Sequence, residues 1–237
     1  RHTNYFCKMI IVTGASGLLG SQILLHAARS GESSLTGVYR NLKSLKRVES
    51  SFMAQGAYQE FKSINWVKVD LLDAIETEEV MVGAKYIIHC AGLSRPMDLH
   101  VKDICKSINL NIIGTANVVN VCNEFNIKLI YFSTGYVYEG KKGNYNEKDP
   151  VLPINNYAWS KLGGESSVIL YKNSLILRIM MCERPFLHDH AFYDIKTNFM
   201  FQDEVAKIIP KILDKKGIIN IGGKIQSVYD FAKKTKK

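Results

Sequence analysis

Two side chains with complementary acid–base chemistry lie four residues apart in this chain, at Tyr157 and Lys161. Residues four apart share one face of a helix, so the sequence places a phenol beside an ammonium group. A neighbouring positive charge lowers the pKa of a phenol from its usual value of about 10. The pair is therefore suited to donating a proton, while the ammonium also holds the ribose of a cofactor.

A glycine-rich segment near the N-terminus indicates which cofactor this pair would work with. Residues 13–20 read T-G-A-S-G-L-L-G and follow the short apolar run M-I-I-V at 9–12. A strand, a tight glycine turn and a helix bind a dinucleotide pyrophosphate, because the glycines let the backbone approach and the helix offers free N–H groups. The predicted contacts in this turn are Gly14, Ser16, Gly17, Leu18, Leu19 and Gly20.

Alternating strand and helix patterns must position these residues. Apolar segments predict strands at 9–13, 35–39, 64–69, 86–91, 128–133, 174–179 and 217–221. Helical patterns lie at 18–30, 73–82, 98–125, 157–171, 203–214 and 226–235. Most of the strands are continuous apolar runs, which is typical of parallel strands covered on both faces. The order predicts an α/β fold with a doubly wound parallel sheet and a ligand crevice at the carboxyl ends of its strands.

The residues after the second and third strands indicate the type of dinucleotide. Arg40 stands twenty residues after Gly20, where an acidic side chain would bind the ribose 2′-hydroxyl of NAD, and Lys43 follows closely. A guanidinium suits a 2′-phosphate, which favours NADPH over NADH, although both cations could simply be loop residues of a basic protein. After the third strand, Asp70 either accepts from the adenine amino group, beside Leu71, or caps the next helix.

Small and hydroxyl-bearing residues end the fourth and fifth strands. The fourth ends at Cys90, Ala91 and Gly92, where the backbone can approach the cofactor. The fifth ends in the hydroxyl groups of Ser133 and Thr134. Hydroxyls at this edge of the sheet are placed to polarise a carbonyl oxygen of a substrate.

The composition is that of an ordinary globular protein, with 46% hydrophobic and 22% charged residues in a chain of 237. No apolar run approaches the roughly 20 residues of a membrane span and no signal-peptide pattern is present, so a cytoplasmic protein without a membrane partner is expected. The net charge of +9 is spread along the chain, apart from a lysine run at 233–237, which favours a solvated surface over nucleic-acid binding. Scattered cysteines without a C-x-x-C spacing indicate reduced, mostly buried thiols, at Cys7, Cys90, Cys105, Cys122 and Cys182.

Several motifs, over about residues 8–180, together resemble those of the extended short-chain dehydrogenase/reductases. The turn at 13–20 resembles T-G-x-x-G-x-x-G, and N-I-I-G-T at 111–115 resembles a helix motif of that family. The segment S-T-G-Y-V-Y-E-G at 133–140 resembles S-T-D-Y-V-F-D-G, and Y-A-W-S-K-L-G-G-E at 157–165 resembles Y-G-x-T-K-L-x-G-E. Within the superfamily the chain is most similar to the dTDP-4-dehydrorhamnose reductases and related 4-keto-6-deoxy nucleotide-sugar reductases.

The resemblance implies reduction of the 4-keto group of a dTDP- or UDP-linked 4-keto-6-deoxy sugar by NADPH, or by NADH in its place, in deoxysugar (rhamnose) biosynthesis. Thr134, rather than Ser133, would polarise the carbonyl. Tyr157 would donate the proton, while Lys161 lowers the pKa of that phenol and binds the ribose. Asn111 would support a proton relay to the lysine. Further substrate contacts implied by the motifs are Ser94 and Tyr136.

The segment 182–201 is shorter than the substrate lobe of the family and is expected to set specificity. It combines the cations Arg184 and Lys196 with aromatic side chains such as Phe192 and Tyr193. Cations bind a diphosphate and aromatic rings stack on a base, but a surface loop packed by its phenylalanines is an equal alternative. The sequence H-D-H at 188–190, with only Glu183 nearby, offers too few ligands for a metal site to be predicted.

The resemblance divides the chain into an NADP-binding Rossmann domain at 8–181 and a shortened substrate-binding lobe, with a returning strand and helix, at 182–237. Gly135 stands where the reductases have Asp, and Met181 stands where they place a Trp. As partners, the family suggests a 3,5-epimerase acting beforehand and a homodimer formed through helices 98–125 and 157–171.

Two other functions stay open. A nucleotide-sugar 4-epimerase would keep NAD bound and prefer an acidic residue at the position of Arg40. A non-catalytic NADP-binding regulatory subunit would have no need of Thr134, Tyr157 and Lys161 together, so the sequence favours an enzyme.

Overall fold

A seven-stranded parallel sheet forms the centre of the structure, a computed structural model that describes residues 9–234. The strands of the described part are β1 (Ile10–Thr13), β2 (Leu35–Tyr39), β3 (Asn65–Lys68), β4 (Tyr86–His89), β5 (Lys128–Thr134), β6 (Ser174–Ile179), β7 (Met181–Cys182), β8 (Lys196–Thr197), β9 (Met200–Phe201), β10 (Gly217–Ile221) and β11 (Gln226–Ser227). The central sheet has the order β10-β6-β5-β4-β1-β2-β3. The doubly wound parallel sheet predicted from the sequence is therefore confirmed.

Helices cover both faces of this sheet. They are α1 (Leu18–Arg29), α2 (Leu42–Ala54), α3 (Tyr58–Ser63), α4 (Ala74–Met81), α5 (Leu99–Lys102), α6 (Ile104–Ile108), α7 (Gly114–Glu124), α8 (Asn156–Ile169), α9 (Gln202–Ile212) and α10 (Val228–Lys233). A π-helical turn at Asn109–Ile113 joins α6 to α7.

The apolar strands are buried between two layers of side chains. Every residue of β5 and β6 is buried, as the continuous apolar runs predict. One core cluster joins the sheet to α1, α2 and α9 through residues such as Leu24, Phe52 and Ile209. The cluster on the other face joins it to α7 and α8 through residues such as Val118 and Val168. Burial on both faces explains why these strands lack an alternating polar pattern.

The direction of winding reverses between β1 and β4. The chain runs outward from β1 to β2 and β3, then returns to β4 on the other side of β1 and continues to β5, β6 and β10. Loops that leave neighbouring strands in opposite directions open a crevice at the carboxyl edge of the sheet. The glycine turn and the residues after β4 meet at this crevice.

Two helices went unrecognised in the sequence, and one predicted helix is interrupted. α2 and α3 occupy 42–63, where no helix was predicted; Asn41 caps α2, since its Oδ1 accepts the N–H of Ser44 at 2.9 Å. The continuous helix predicted at 98–125 is wrong. Asp103 leaves the helical path and its carboxylate caps α6 by accepting the N–H of Lys106 at 2.9 Å.

The segment after β7 contributes to two parts of the molecule. Helix α9 packs against α1, and β10 pairs with β6 at the edge of the central sheet, so residues 202–221 belong to the sheet layers. Short strands pair β7 with β9 and β8 with β11 around Cys182, Phe201 and Phe231. In the described part of the chain, no helix is both long and apolar enough to span a bilayer.

The cysteines of the described residues are all free. Cys122 and Cys182 are buried, Cys90 is half-buried and Cys105 is exposed. Two of these four thiols are therefore buried, as the sequence analysis expected for most of them. Cys7 and the last residues of the lysine run, 235–237, lie outside the described part of the chain.

Candidate active site

The glycine turn after β1 forms the floor of the crevice. Gly14 has a φ of +63°, and a Cβ on it would lie 2.5 Å from the backbone nitrogen of Ala91. A Cβ on Gly20 would lie 2.5 Å from the carbonyl oxygen of Gly14. Helix α1 begins after Gly17 without a side-chain cap, which leaves the first N–H groups of the helix open to a ligand. This turn fits the pyrophosphate of a dinucleotide.

Arg40 and Lys43 lie exposed at the carboxyl end of β2 and at the start of α2. Within residues 9–234, neither side chain forms an ion pair with a carboxylate. Lys43 also lines a surface groove of about 570 Å³ with Leu42, Lys46, Arg47 and Ser50. Among residues 9–234, these two cations thus have no carboxylate partner, and they lie where the sequence predicts contacts with a 2′-phosphate.

Asp70 does not cap the helix that follows it. Its Oδ1 accepts the N–H of Leu72 at 3.1 Å, whereas Asp73 caps α4 by accepting the N–H groups of Ile75 and Glu76 at 2.9 and 3.0 Å. The capping alternative for Asp70 is therefore wrong, and its carboxylate stays exposed at the end of β3. The adjacent Leu71 carbonyl accepts from the Asn117 side chain at 2.8 Å, which ties this loop to α7.

The side chain of His89, at the end of β4, is buried and lies between two hydroxyl groups. Its Nδ1 lies 2.7 Å from Thr13 Oγ1 and its Nε2 lies 3.0 Å from Thr115 Oγ1. Burial, together with the charge of Lys161, lowers the pKa of His89 to about 3. The imidazole therefore stays neutral and fixes the strand end against α7. Burial also raises the pKa of the neighbouring Cys90 thiol, which disfavours its thiolate form.

The predicted catalytic groups meet beside this strand end. Asn155 starts α8 by accepting the N–H of Ala158 at 2.8 Å, and the helix carries Tyr157 in its first turn. The side chain of Thr134, at the end of β5, hydrogen-bonds the Tyr157 phenol. Ser133 is engaged elsewhere, because its hydroxyl donates to a Glu165 carboxylate oxygen at 2.5 Å. Thr134 is thus the hydroxyl that faces the phenol.

Lys161 lies one turn further along α8, at the cofactor crevice. A Cβ on Gly92 would lie 3.8 Å from its Nζ, which places the ammonium beside the end of β4. Burial lowers the pKa of Lys161 to about 8, while the charges of Cys90 and Glu165 act in the opposite direction. The structure thereby brings Lys161 together with the residues predicted to contact the cofactor.

The expected effect of Lys161 on the phenol is not found. Burial raises the pKa of Tyr157 to about 12, against the lowering effects of the Thr134 hydrogen bond and the charge of Arg95. Lys161 is not among the described groups that shift this pKa, so its predicted effect on the phenol stays a prediction. Arg95 went unnoticed in the sequence, where nothing indicated that a loop cation would face the active site.

The Asn111 side chain forms hydrogen bonds with Leu93 and Ser160 next to the active site. Its side-chain nitrogen donates to the Leu93 carbonyl at 2.9 Å and to Ser160 Oγ at 2.8 Å, and its Oδ1 accepts the Leu93 N–H at 2.6 Å. Among the residues that the structure describes, no hydrogen bond joins Asn111 to Lys161. The amide therefore holds the loop after β4 against α8.

A buried ion pair beneath the catalytic residues was also missed. Arg178 of β6 donates to Glu165 Oε1 at 2.6 Å, and the two side chains are 5% and 3% exposed. Arg178 also donates to the Tyr138 hydroxyl at 2.7 Å. Removing one member of such a pair lowers the free energy of unfolding by about 3–5 kcal/mol. The pair therefore stabilises the packing of α8 against β5 and β6.

An apolar contact occupies the place of the polar side chain missing at Gly135. A Cβ on Gly135 would lie 2.6 Å from Met180 Sδ, so the thioether fills this space next to Thr134. The following Tyr136 is partly exposed, and its N–H donates to Thr134 Oγ1 at 3.2 Å. The surroundings of Thr134 are consequently less polar on this side.

The remaining predicted substrate residues lie at the rim. Arg184 packs over the Phe201 ring at 3.8 Å and pairs with Asp203 at 3.5 Å, so its guanidinium is partly engaged within the protein. Lys196 is exposed in β8, and Ser94 is exposed in the loop after β4. Within the described residues, no group of three or more metal-binding side chains is found, and this includes residues 188–190.

Comparisons with known proteins agree on one family. The chain matches the family described as RmlD substrate binding domain over residues 8–182. It is 29% identical over 176 residues to methionine adenosyltransferase 2 subunit beta of Danio rerio, covering 73% of this chain and 47% of that protein. It is 26% identical over 167 residues to dTDP-4-dehydrorhamnose reductase of Mycobacterium tuberculosis, covering 68% and 46%. The chain thus spans about half the length of the curated relatives it matches.

A solved structure shares the fold of the described chain. The dTDP-4-dehydrorhamnose reductase of Bacillus anthracis, solved in complex with NADP, superposes with a TM-score of 0.74 at 21% identity. The alignment covers 98% of this chain and 81% of that one.

Proposed function

The chain belongs to the RmlD substrate-binding domain family, and from this membership we propose that it reduces the 4-keto group of a nucleotide-linked 4-keto-6-deoxy sugar with NADPH. Membership confirms the resemblance that the motifs indicated. The proposed substrate is of the dTDP- or UDP-4-dehydrorhamnose type. In this assignment, residues 8–181 form the cofactor-binding domain. Residues 182–237 form a shortened substrate lobe, whose helix α9 and strand β10 return to the central sheet.

One observation carries the proposal. The Thr134 hydroxyl faces the Tyr157 phenol at the carboxyl edge of the sheet and lowers the pKa of that phenol, and Lys161 lies beside Gly92 at the same edge. A pair of hydroxyl groups next to a dinucleotide-binding crevice suits the reduction of a carbonyl group. A protein that only bound a nucleotide would have no use for this arrangement.

The residues have distinct roles in the proposed reaction. NADPH, when bound, supplies the hydride. The open N–H groups at the start of α1 bind its pyrophosphate, and Lys161 holds the ribose near Gly92. Thr134 and Tyr157 donate hydrogen bonds to the carbonyl oxygen, and Tyr157 then gives its phenolic proton to that oxygen as negative charge develops there. With its pKa raised to about 12, the Tyr157 phenol is protonated at neutral pH and so carries the proton to be donated.

The choice of NADPH rests on Arg40 and Lys43. Both cations are exposed at the end of β2, where a 2′-phosphate would lie. The proposed substrate contacts are Ser94, Tyr136, Arg184 and Lys196 at the rim. Arg184 would have to exchange its ion pair with Asp203 for a substrate phosphate.

A substrate panel tests the proposal. The full chain is incubated with NADPH and each of several dTDP-, UDP- and GDP-linked 4-keto-6-deoxy sugars, and cofactor absorbance is followed. We expect oxidation of NADPH with at least one of them, and loss of that activity in Tyr157→Phe. If NADPH binds tightly and no member of the panel is reduced, the reductase assignment is wrong.

A second function is favoured by one specific observation, the 29% identity to methionine adenosyltransferase 2 subunit beta. The alternative is a non-catalytic NADP-binding subunit that regulates an enzyme. It predicts that the chain binds a methionine adenosyltransferase catalytic subunit and alters its kinetics, and that Tyr157→Phe leaves this effect unchanged. The reductase proposal predicts turnover without any partner.

A further inference from the structure

The ring of His100, in α5, lies directly against the ring of the proposed proton donor. The His100 and Tyr157 rings pack edge to face, with their centroids 5.2 Å apart and their planes at 63°. His100 is 1% exposed, whereas Tyr157 is half-buried. Aromatic rings prefer an edge-to-face arrangement to a face-to-face one, so the buried imidazole favours one orientation of the phenol ring.

The interruption between α5 and α6 brings the His100 ring to this place. In a continuous helix, residues seven apart are separated by about 10.5 Å along the axis. Here the Nδ1 of His100 lies 2.7 Å from the Oγ of Ser107. This contact is possible because Asp103, with φ of −136° and ψ of +74°, leaves the helical path between them. The helix break therefore lets Ser107 fix the imidazole.

A second contact joins His100 to the same turn of α8. The side chain of Asn156, the residue before Tyr157, donates to the His100 carbonyl at 3.0 Å. The backbone of His100 thus holds the first turn of α8, while its side chain contacts the phenol ring that this turn carries. Two adjacent residues of α8 are therefore placed by one residue of α5.

We propose that His100 is a positioning residue that holds the Tyr157 ring in the orientation from which the phenol donates its proton. The inference rests on the proposed function, since Tyr157 is the proton donor of that reaction. His100 acts through the ring of Tyr157. A displacement of about 1 Å at a reacting group can lower a rate by roughly a hundredfold, so a contact that fixes the phenol affects turnover.

Two substitutions separate the ring contact from the hydrogen bond. His100→Phe keeps an aromatic ring against Tyr157 but loses the bond with Ser107. His100→Asn keeps a polar group close to the position of Nδ1 but removes the ring. In the full chain we expect kcat for sugar reduction to fall roughly tenfold to a hundredfold in His100→Asn, with KM and the affinity for NADPH unchanged. His100→Phe should recover most of the rate, because burial holds a ring there without the hydrogen bond.

The mobility of the phenol ring can be measured without substrate. A tyrosine with fluorine at both ring positions next to the hydroxyl replaces Tyr157 in the full chain, and fluorine NMR records how fast the ring flips. A held ring gives two resonances that merge only on heating, because its two edges lie in different surroundings. We expect the merging temperature to fall in His100→Asn and to stay close to the wild-type value in His100→Phe.

Several outcomes would overturn the proposal. They are a single averaged resonance in the wild type, an unchanged merging temperature in His100→Asn, and equal losses of kcat in His100→Asn and His100→Phe. Equal losses with weaker NADPH binding are what a purely structural role in the loop predicts.

His26→Asn is the matched control, because His26 is a half-buried histidine in the last turn of α1, and it should leave both measurements unchanged. If the fluorine resonances respond as expected while no sugar of the panel is reduced, His100 still positions the ring and the reductase assignment fails.

Discussion

The ammonium of Lys161 lies 4.3 Å from the centre of the Tyr131 ring. The Tyr131 hydroxyl also donates to the Lys161 carbonyl at 2.9 Å, so one side chain of β5 holds both ends of the lysine. A cation over an aromatic face is stabilised by the charge distribution of the ring. The lysine is consequently anchored towards the cofactor crevice and Gly92, and its main task in the proposed reaction is to bind the cofactor.

Replacing the proton donor should separate chemistry from binding. In Tyr157→Phe we expect turnover to fall by roughly 10²–10⁴, because the developing alkoxide loses its proton source. The affinity for NADPH, measured by fluorescence titration, should remain nearly unchanged. Reduction of the true substrate at close to the wild-type rate would remove Tyr157 from the mechanism.

Arg40 should decide between the two nicotinamide cofactors. A charge-assisted contact with a phosphate contributes about 1.5–3 kcal/mol, so Arg40→Ala should weaken NADPH binding by roughly one to two decades. NADH, which lacks the 2′-phosphate, should bind as before. Arg29→Ala removes a cation at the far end of α1 and serves as the control in calorimetric titrations. An equal loss for both cofactors would show that Arg40 does not contact the 2′-phosphate.

Burial of the Lys161 charge should make stability depend on pH. The pKa of Lys161 is about 8 in the folded chain and 10.5 in its ordinary state, so the unfolded chain binds more protons between these values. The cost of the buried charge is complete below pH 8, on the order of 3 kcal/mol, and disappears as pH rises to about 10.5. Lys161→Met should therefore be more stable than the wild type at pH 7, and this gain should shrink above pH 8.

Urea unfolding at pH 7 and pH 10 measures this difference. Lys128 offers a comparison, because burial also lowers its pKa to about 8 at the opposite end of β5. Lys128→Met should show a similar trend with pH but keep the affinity for NADPH, which Lys161→Met should lose. A stability gain of Lys161→Met that is constant between these pH values would contradict the assigned protonation.

The sequence predicted the parts of the fold that depend on local pattern. Most strands of the central sheet were found because buried parallel strands are continuous apolar runs, whereas the edge strands β3 and β10 are only partly buried. Helix α2 was not predicted although Leu45, Val48 and Phe52 give it an apolar face and Asn41 caps it, because charged and polar residues dominate the segment 40–51 and obscure the helical period.

Contacts between distant segments could not be predicted in this way. Glu165 meets Arg178 only because β6 lies beside β5 under α8, and Arg95 meets Glu183 only because two loops converge over the crevice. Neither pair has a signature in the spacing of the sequence. The glycine turn and the pair Tyr157 and Lys161 were recognisable because their spacing within one element defines their geometry.

Gly135 should tolerate a polar side chain only if Met180 makes room. The Cβ of Gly135→Asp would lie 2.6 Å from Met180 Sδ, and such overpacking costs about 1–3 kcal/mol. We therefore expect Gly135→Asp to lower the free energy of unfolding, and Met180→Ala to be destabilising on its own by leaving a cavity. The double variant should recover part of the loss, since the carboxylate then occupies the space of the thioether. If the two effects simply add in urea unfolding, the contact between Met180 and position 135 is not what excludes a polar residue beside Thr134.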